Sequence, residues 1–102
     1  MGAIRDAAKN LGTPHLRGCV LYTSSEPCPM CMGAAYWARI EKVFYATTVA
    51  DVKQYGNFDD EDHYAELAKE PHDRDIPTLP FMREEAVEVW KEFHMLPDRC
   101  HY

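Results

Sequence analysis

Two cysteines three residues apart, Cys28 and Cys31, are the side chains best suited to carry out chemistry in this sequence. They stand in the run Pro27-Cys28-Pro29-Met30-Cys31, between an apolar stretch and a segment with few helix breakers. Thiols at this spacing on the first turn of a helix point the same way, and the free N–H groups and dipole of a helix start stabilise thiolates. The pair therefore predicts a metal corner made by Cys28 and Cys31.

Three other interpretations of the pair stay open at this point. A C-x-x-C motif that opens a helix after a strand also describes a thiol redox protein, in which Cys28 and Cys31 form a reversible disulfide. A structural zinc site is a second interpretation, but it needs another pair of ligands, and the histidines and Cys100 show no such grouping. A packing role for two buried thiols is the third.

The elements around the pair predict an α/β fold. Apolar residues on one helical face predict a helix over 3–11. The apolar runs 19–23 and 43–46 predict two buried strands, and the segment between them predicts a helix that begins near Pro27 and is buried on most sides. Strand, helix and strand in this order form a βαβ unit with parallel strands. The pair then lies at the carboxyl end of a strand, where ligands bind in such folds.

The second half of the chain has weaker signals. Residues 60–69 predict a helix, and 84–94 predict a final helix with one broad apolar face. Residues 76–82 are expected to form at most an edge strand, because Pro77 and Pro80 interrupt them.

The composition is that of one small globular domain or a piece of a larger one, with 102 residues, 46% of them hydrophobic and 12% aromatic. No run approaches the ~18 apolar residues of a membrane span, and the first residues lack a secretory signal. We therefore expect no membrane partner and a cytoplasmic location, with free thiols in place of disulfides.

The acidic residues are concentrated in one segment. Residues 51–75 hold nine acids and three bases, which accounts for the formal net charge of −6. An acidic segment repels a phosphate backbone, and no cluster of basic residues stands elsewhere in the chain. The sequence therefore predicts no nucleic-acid partner and remains compatible with a small neutral ligand.

The residues around the cysteines resemble a known family. The run Leu21-Tyr22-Thr23-Ser24-Ser25-Glu26-Pro27-Cys28-Pro29-Met30-Cys31-Met32-Gly33-Ala34 resembles the zinc-binding half of the cytidine-deaminase-like zinc deaminases. The similarity to its bacterial guanine deaminase branch extends over residues 33–39, 43–46 and 58–60 and to Trp90, Phe93 and Tyr102. The resemblance implies a three-layer α/β/α sandwich, a Zn²⁺ cofactor held in part by Cys28 and Cys31, and hydrolysis of guanine to xanthine and ammonia.

The chain departs from the family pattern at one decisive point. The family supplies its third zinc ligand and its proton-shuttling Glu from an H-x-E motif, and no H-x-E occurs in this sequence. The resemblance places that motif before residue 1, so residues 1–102 are expected to be the C-terminal two-thirds of a single deaminase domain, without its first helix and hairpin. We expect weak metal binding and no activity from this chain alone. A non-catalytic binding module of the same fold is the alternative.

The resemblance also implies residues that bind the purine base. Trp37 would line the base pocket, Phe58 would stack on the base, and Asp60 would contact the guanine edge. Tyr102 resembles a C-terminal tyrosine that reaches the active site of a partner subunit in a domain-swapped dimer. These are the predicted substrate-binding residues, and a homodimer is the predicted assembly.

Overall fold

The computed structural model describes residues 1–100 and divides the chain into two compact units, residues 1–69 and a unit that begins at Glu70. The first unit contains α1 (Gly2–Leu11), β1 (Val20–Ser25), α2 (Pro29–Trp37), β2 (Lys42–Thr47), α3 (Val49–Gly56) and α4 (Asp60–Ala68). The second contains a 3₁₀ turn (Pro71–Asp73) and α5 (Arg83–Met95). No helix within residues 1–100 has the length and apolar character needed to cross a membrane.

The two strands pair in parallel, with α2 as the connection between them. Their register places Leu21 opposite Val43 and Tyr22 opposite Phe44. Parallel neighbours need a crossover connection, and the short strand-helix-strand segment supplies one. The predicted βαβ unit is therefore confirmed, with strand ends that lie one or two residues from the predicted ones.

The two faces of this sheet differ in exposure. Leu21 and Thr23 are half-buried, and their partners on β2, Val43 and Tyr45, line a cavity together with residues of α2. On the other face Tyr22 and Phe44 are 76% and 50% exposed, and their rings stack with centroids 5.3 Å apart. The prediction of two fully buried strands is wrong. Successive strand residues point to opposite faces, and in the first unit only one face of the sheet is covered.

The buried core of the first unit lies where the loop before β1 meets α2. Leu16 is 1% exposed, and its N–H donates to the Ala38 carbonyl at 2.6 Å. Ala35 and Ala38 are also buried, because their small side chains let the loop approach the helix closely. The prediction that α2 is buried on most sides is wrong, since Met30 and Trp37 are 66% and 60% exposed.

Helix α3 has no counterpart among the predicted elements. A reciprocal capping box starts it: the Asp51 N–H donates to the Thr48 hydroxyl (3.1 Å), and the Thr48 N–H donates to the Asp51 carboxylate (3.0 Å). The hydrogen bonds from Thr48 lower the pKa of Asp51. Asn57, with φ of 59°, ends the helix in the left-handed conformation. The Thr-x-x-Asp spacing was the sequence signal for this helix.

Helix α5 in the second unit confirms the predicted final helix, with one extra residue at each end. Its apolar face is only partly covered: Trp90 is 65% exposed and meets Phe93 edge to face, with ring centroids 5.9 Å apart. None of residues 76–82 lies in a strand, which is the outcome expected for a segment with two prolines.

Because Leu16 is the one large side chain among residues 1–100 that is fully buried, its truncation should be costly. We expect Leu16→Ala to lower the free energy of unfolding by about 2–5 kcal/mol, through lost transfer energy and the cavity left behind. Leu11→Ala is the control, because Leu11 is 61% exposed and its loss should cost under about 1 kcal/mol. Urea unfolding followed by circular dichroism measures both, and equal losses would contradict the assignment of the core.

Candidate metal centre

Cys28 and Cys31 lie together at the start of α2, as the sequence predicts. Cys28 is the N-cap residue, with extended backbone angles (φ −68°, ψ 169°), and Pro29 occupies the first helical position. The Met32 N–H donates to the Cys28 carbonyl at 2.9 Å, which closes the first turn. Both thiols are free and partly buried, and Cys28 lies close enough to Cys31 to raise the pKa of its thiol. Their sulfur atoms are therefore positioned to share one metal ion.

The electrostatics of the pair differ from the expectation. Burial raises the pKa of the Cys31 thiol, and the neighbouring Cys28 acts in the same direction. The predicted stabilisation of the thiolate by the helix start is thus outweighed at Cys31. The α-amino group of Met1 has a smaller, opposite effect on this pKa, so the first residue of the chain lies beside the cysteine pair.

The donor set fits zinc in kind and falls short in number. Thiolates are common zinc ligands, but a tetrahedral site needs four donors and a catalytic site three from the protein. Among residues 1–100, the one group of three ligand-type side chains is Asp59, Asp60 and His63, on the largely exposed start of α4. Within residues 1–100 the cysteine pair therefore offers two donors where a zinc site needs three or four.

Glu26 holds the turn between β1 and the cysteines. Its N–H donates to the Thr47 carbonyl at 2.7 Å, and its carboxylate accepts from the Val49 N–H at 3.1 Å. The second bond satisfies a free N–H group at the start of α3. Glu26 is thus a structural residue of this turn.

Tyr64 is a residue of this site that the sequence interpretation missed. Its hydroxyl donates to the carbonyl of the buried Pro27 at 2.5 Å, which ties α4 to the residue before Cys28. Burial raises the pKa of the Tyr64 phenol, and the charge of Glu26 adds to the effect. Nothing in the local sequence indicates this contact, because the partners are 37 residues apart.

A cavity of about 420 Å³ opens beside this hydrogen bond, within the size range of small-molecule sites. Aromatic and apolar side chains form most of its wall, and the carboxylate of Glu26 is its one acidic group. The lining residues are Glu26, Pro27, Met32, Tyr36, Val43, Tyr45 and Tyr64.

The predicted base-binding residues lie at different places in the structure and differ in their exposure. Asp60 is half-buried at the first position of α4, one helical turn before Tyr64, and its charge contributes to the raised pKa of the Tyr64 phenol. Phe58 is 63% exposed and packs against Gly56, where a Cβ would come within 3.0 Å of its ring. Trp37 lies at the far end of α2, ~13 Å along the helix axis from Cys28. Tyr102 lies outside the described residues.

The parallel βαβ unit with a cysteine pair at its helix start is an α/β arrangement, and one family model matches this part of the chain. Residues 1–47 match the family described as "Cytidine and deoxycytidylate deaminase zinc-binding region". This segment contains both cysteines, which confirms the predicted Zn²⁺ cofactor and favours metal binding over the redox interpretation.

One similar protein is a guanine deaminase. The chain is 46% identical over 94 residues to guanine deaminase of Bacillus subtilis, covering 89% of this chain and 60% of that protein. A crystal structure of guanine deaminase from the same organism matches with a TM-score of 0.86 and 41% identity, over 98% of this chain and 63% of that one. The predicted cytidine-deaminase-like fold and the resemblance to bacterial guanine deaminase are therefore confirmed.

A second relative is similar over a shorter segment. The tRNA-specific adenosine deaminase of Bacillus subtilis is 51% identical over 45 residues, which cover 44% of this chain and 28% of that protein. The match to guanine deaminase is twice as long and extends beyond the zinc-binding region. The chain spans about 60% of the length of that relative.

Proposed function

We propose that this chain forms the zinc-binding and base-contacting part of a hydrolytic purine deaminase that converts guanine to xanthine and ammonia. The length of the similarity to guanine deaminase carries the proposal, because 94 aligned residues must extend beyond the 47 of the zinc-binding region. The segment after residue 47 holds Phe58 and Asp60, the residues proposed to read the base.

Within this proposal Cys28 and Cys31 supply two ligands to zinc, which when bound makes hydroxide available near neutral pH. Asp60 accepts hydrogen bonds from the guanine edge, and Phe58 offers a ring on which the base stacks. Trp37 and Tyr102 are the further proposed contacts, the latter from a partner subunit.

The remaining ligand and the proton-shuttling Glu would come from an H-x-E motif, which this sequence does not contain. A residue that immediately precedes α1 would lie near the thiol pair, because the α-amino group of Met1 does. We therefore propose that the 102-residue chain binds the base but does not deaminate it alone. Because the shuttle is absent, a non-catalytic binding module is the second candidate.

Two exposed apolar surfaces, the Tyr22–Phe44 face of the sheet and the Trp90 side of α5, support a homodimer. A domain-swapped form, a cytoplasmic location and the lack of a nucleic-acid partner stay predictions.

Base binding tests the proposal. In the zinc-loaded Trp90→Phe chain Trp37 is the remaining tryptophan, so we expect guanine to quench its fluorescence and cytosine or adenine to do so more weakly. Asp60→Asn should weaken guanine binding by about 10-fold or more, because a hydrogen bond to a charged group is worth about 1.5–3 kcal/mol. Asp98→Asn, at an exposed position, is the control. Binding that does not distinguish the three bases would contradict guanine as the ligand.

A further inference from the structure

We propose that Tyr64 is a positioning residue that holds the base-contacting start of α4 in register with the cysteine corner. The inference rests on the proposed function, since it joins a zinc site to a base site. Neither the C-x-x-C motif nor the set of residues proposed to contact the base includes Tyr64.

The first step of the argument is the hydrogen bond itself. The Tyr64 hydroxyl donates to the Pro27 carbonyl at 2.5 Å, and Pro27 is buried. This carbonyl belongs to the peptide that leads into Cys28, the N-cap of α2. A shift of the Tyr64 ring would therefore move the Pro27–Cys28 peptide, and the orientation of the Cys28 side chain depends on that peptide.

The second step is the placement of Tyr64 on α4. Asp60 and Tyr64 are four residues apart, so they share one face of the helix. Both are half-buried, whereas Glu61, Asp62 and His63 between them are exposed. The charge of Asp60 reaches the Tyr64 phenol, as do the charges of Cys28 and Cys31. One helical turn thus carries the proposed base contact, Asp60, at one end, and at the other Tyr64, which hydrogen-bonds to the residue before Cys28.

The third step is that the turn before Cys28 is fixed from two sides. Glu26 binds the start of α3 through the Val49 N–H, and Tyr64 binds the next residue, Pro27, from α4. Only the second tie involves the helix that carries Asp60. Glu26 is linked to α4 through α3, whose Lys53 pairs with Asp62 at 2.7 Å on the exposed surface. Removing the Tyr64 hydroxyl should therefore leave the turn attached at Glu26 and loosen its direct attachment to α4.

Tyr64→Phe tests the proposal, because it removes the hydroxyl and keeps the ring. In the full 102-residue chain we expect the affinity for Co²⁺ to fall by about 10-fold or more, as for loss of other hydrogen bonds behind metal ligands. The sulfur-to-cobalt absorption should remain, since both thiols still bind, while the ligand-field bands shift. Guanine affinity of the zinc-loaded chain should fall as well. Tyr55→Phe is the matched control, at an 80% exposed position of α3.

A purely structural role would give a different pattern. Tyr64→Phe would then have a lower urea midpoint than the parent chain. At urea concentrations where it is folded, its Co²⁺ affinity, band positions and guanine affinity would equal those of the parent chain. That result would overturn the proposal. If Tyr64→Phe fails to fold, guanine affinity is measured in a double-mutant cycle, with Tyr64→Trp and Asp60→Asn as the single variants and their combination as the double variant. Independent effects on guanine affinity overturn the proposal, and coupled effects support it. A parent chain that binds neither Co²⁺ nor guanine contradicts the proposed function itself.

Discussion

Replacing Cys28 with Ser is expected to lower the affinity of this chain for Zn²⁺ and Co²⁺ by about a hundredfold or more. Structural zinc sites with four ligands bind with about 10–16 kcal/mol, so one thiolate accounts for roughly a quarter of that. The loss should be no smaller for Cys31→Ser, because the described residues offer no third ligand-type side chain near the pair to compensate.

Co²⁺ titration measures this effect, since cobalt bound to thiolates absorbs light and zinc does not. Cys100→Ser is the matched control: it removes a free, exposed thiol and should leave the affinity unchanged. The same titration on the parent chain should give a weaker complex than a complete three-ligand site, with buffer or water in the open positions.

Metal analysis and thiol titration of anaerobically purified protein separate the metal and redox interpretations. We expect bound zinc that slows alkylation of Cys28 and Cys31. After zinc is removed, alkylation of Cys31 should need more alkaline pH than an ordinary thiol, because burial raises its pKa and the thiolate is the reactive form. A reversible Cys28–Cys31 disulfide with no zinc would favour the thiol redox protein.

The cysteine corner could be predicted because its geometry is local. A strand ends, Glu26 and Pro27 turn the chain, and Pro29 starts a helix with Cys28 as its N-cap and Cys31 in its first turn. Each step depends on residues within one short segment, so pattern and propensity suffice. The helix at 49–56 could have been predicted in the same way from the capping box of Thr48 and Asp51.

The contacts that complete the site could not be predicted, because they depend on how distant elements pack. Tyr64 reaches Pro27 across 37 residues, and no local pattern specifies that α4 lies beside the start of α2. The prediction that the strands are buried was wrong for a related reason. Apolar residues such as Tyr22 and Phe44 show that a strand has a face to cover, but coverage depends on elements elsewhere.

Joining an H-x-E motif to this chain is expected to produce guanine deaminase activity. We predict no detectable ammonia release from guanine by the 102-residue chain, because it contains no H-x-E motif to provide a proton shuttle. A chimera joins this chain to the part of Bacillus subtilis guanine deaminase that it does not cover. The chimera should gain at least about a thousandfold over the chain alone, since a positioned acid-base group contributes about 10²–10⁴ and the third ligand completes the zinc site.

Ammonia release from guanine, cytidine and adenosine is measured with the zinc-loaded chimera. Asp60→Asn in the chimera should lower kcat/KM for guanine by about 10-fold or more, because the carboxylate that accepts from the guanine edge is lost. The chimera with the Glu of its H-x-E motif changed to Gln is the inactive control. Turnover of cytidine or adenosine alone would show that guanine is the wrong substrate. Guanine turnover by the 102-residue chain would show that its own residues supply the proton shuttle.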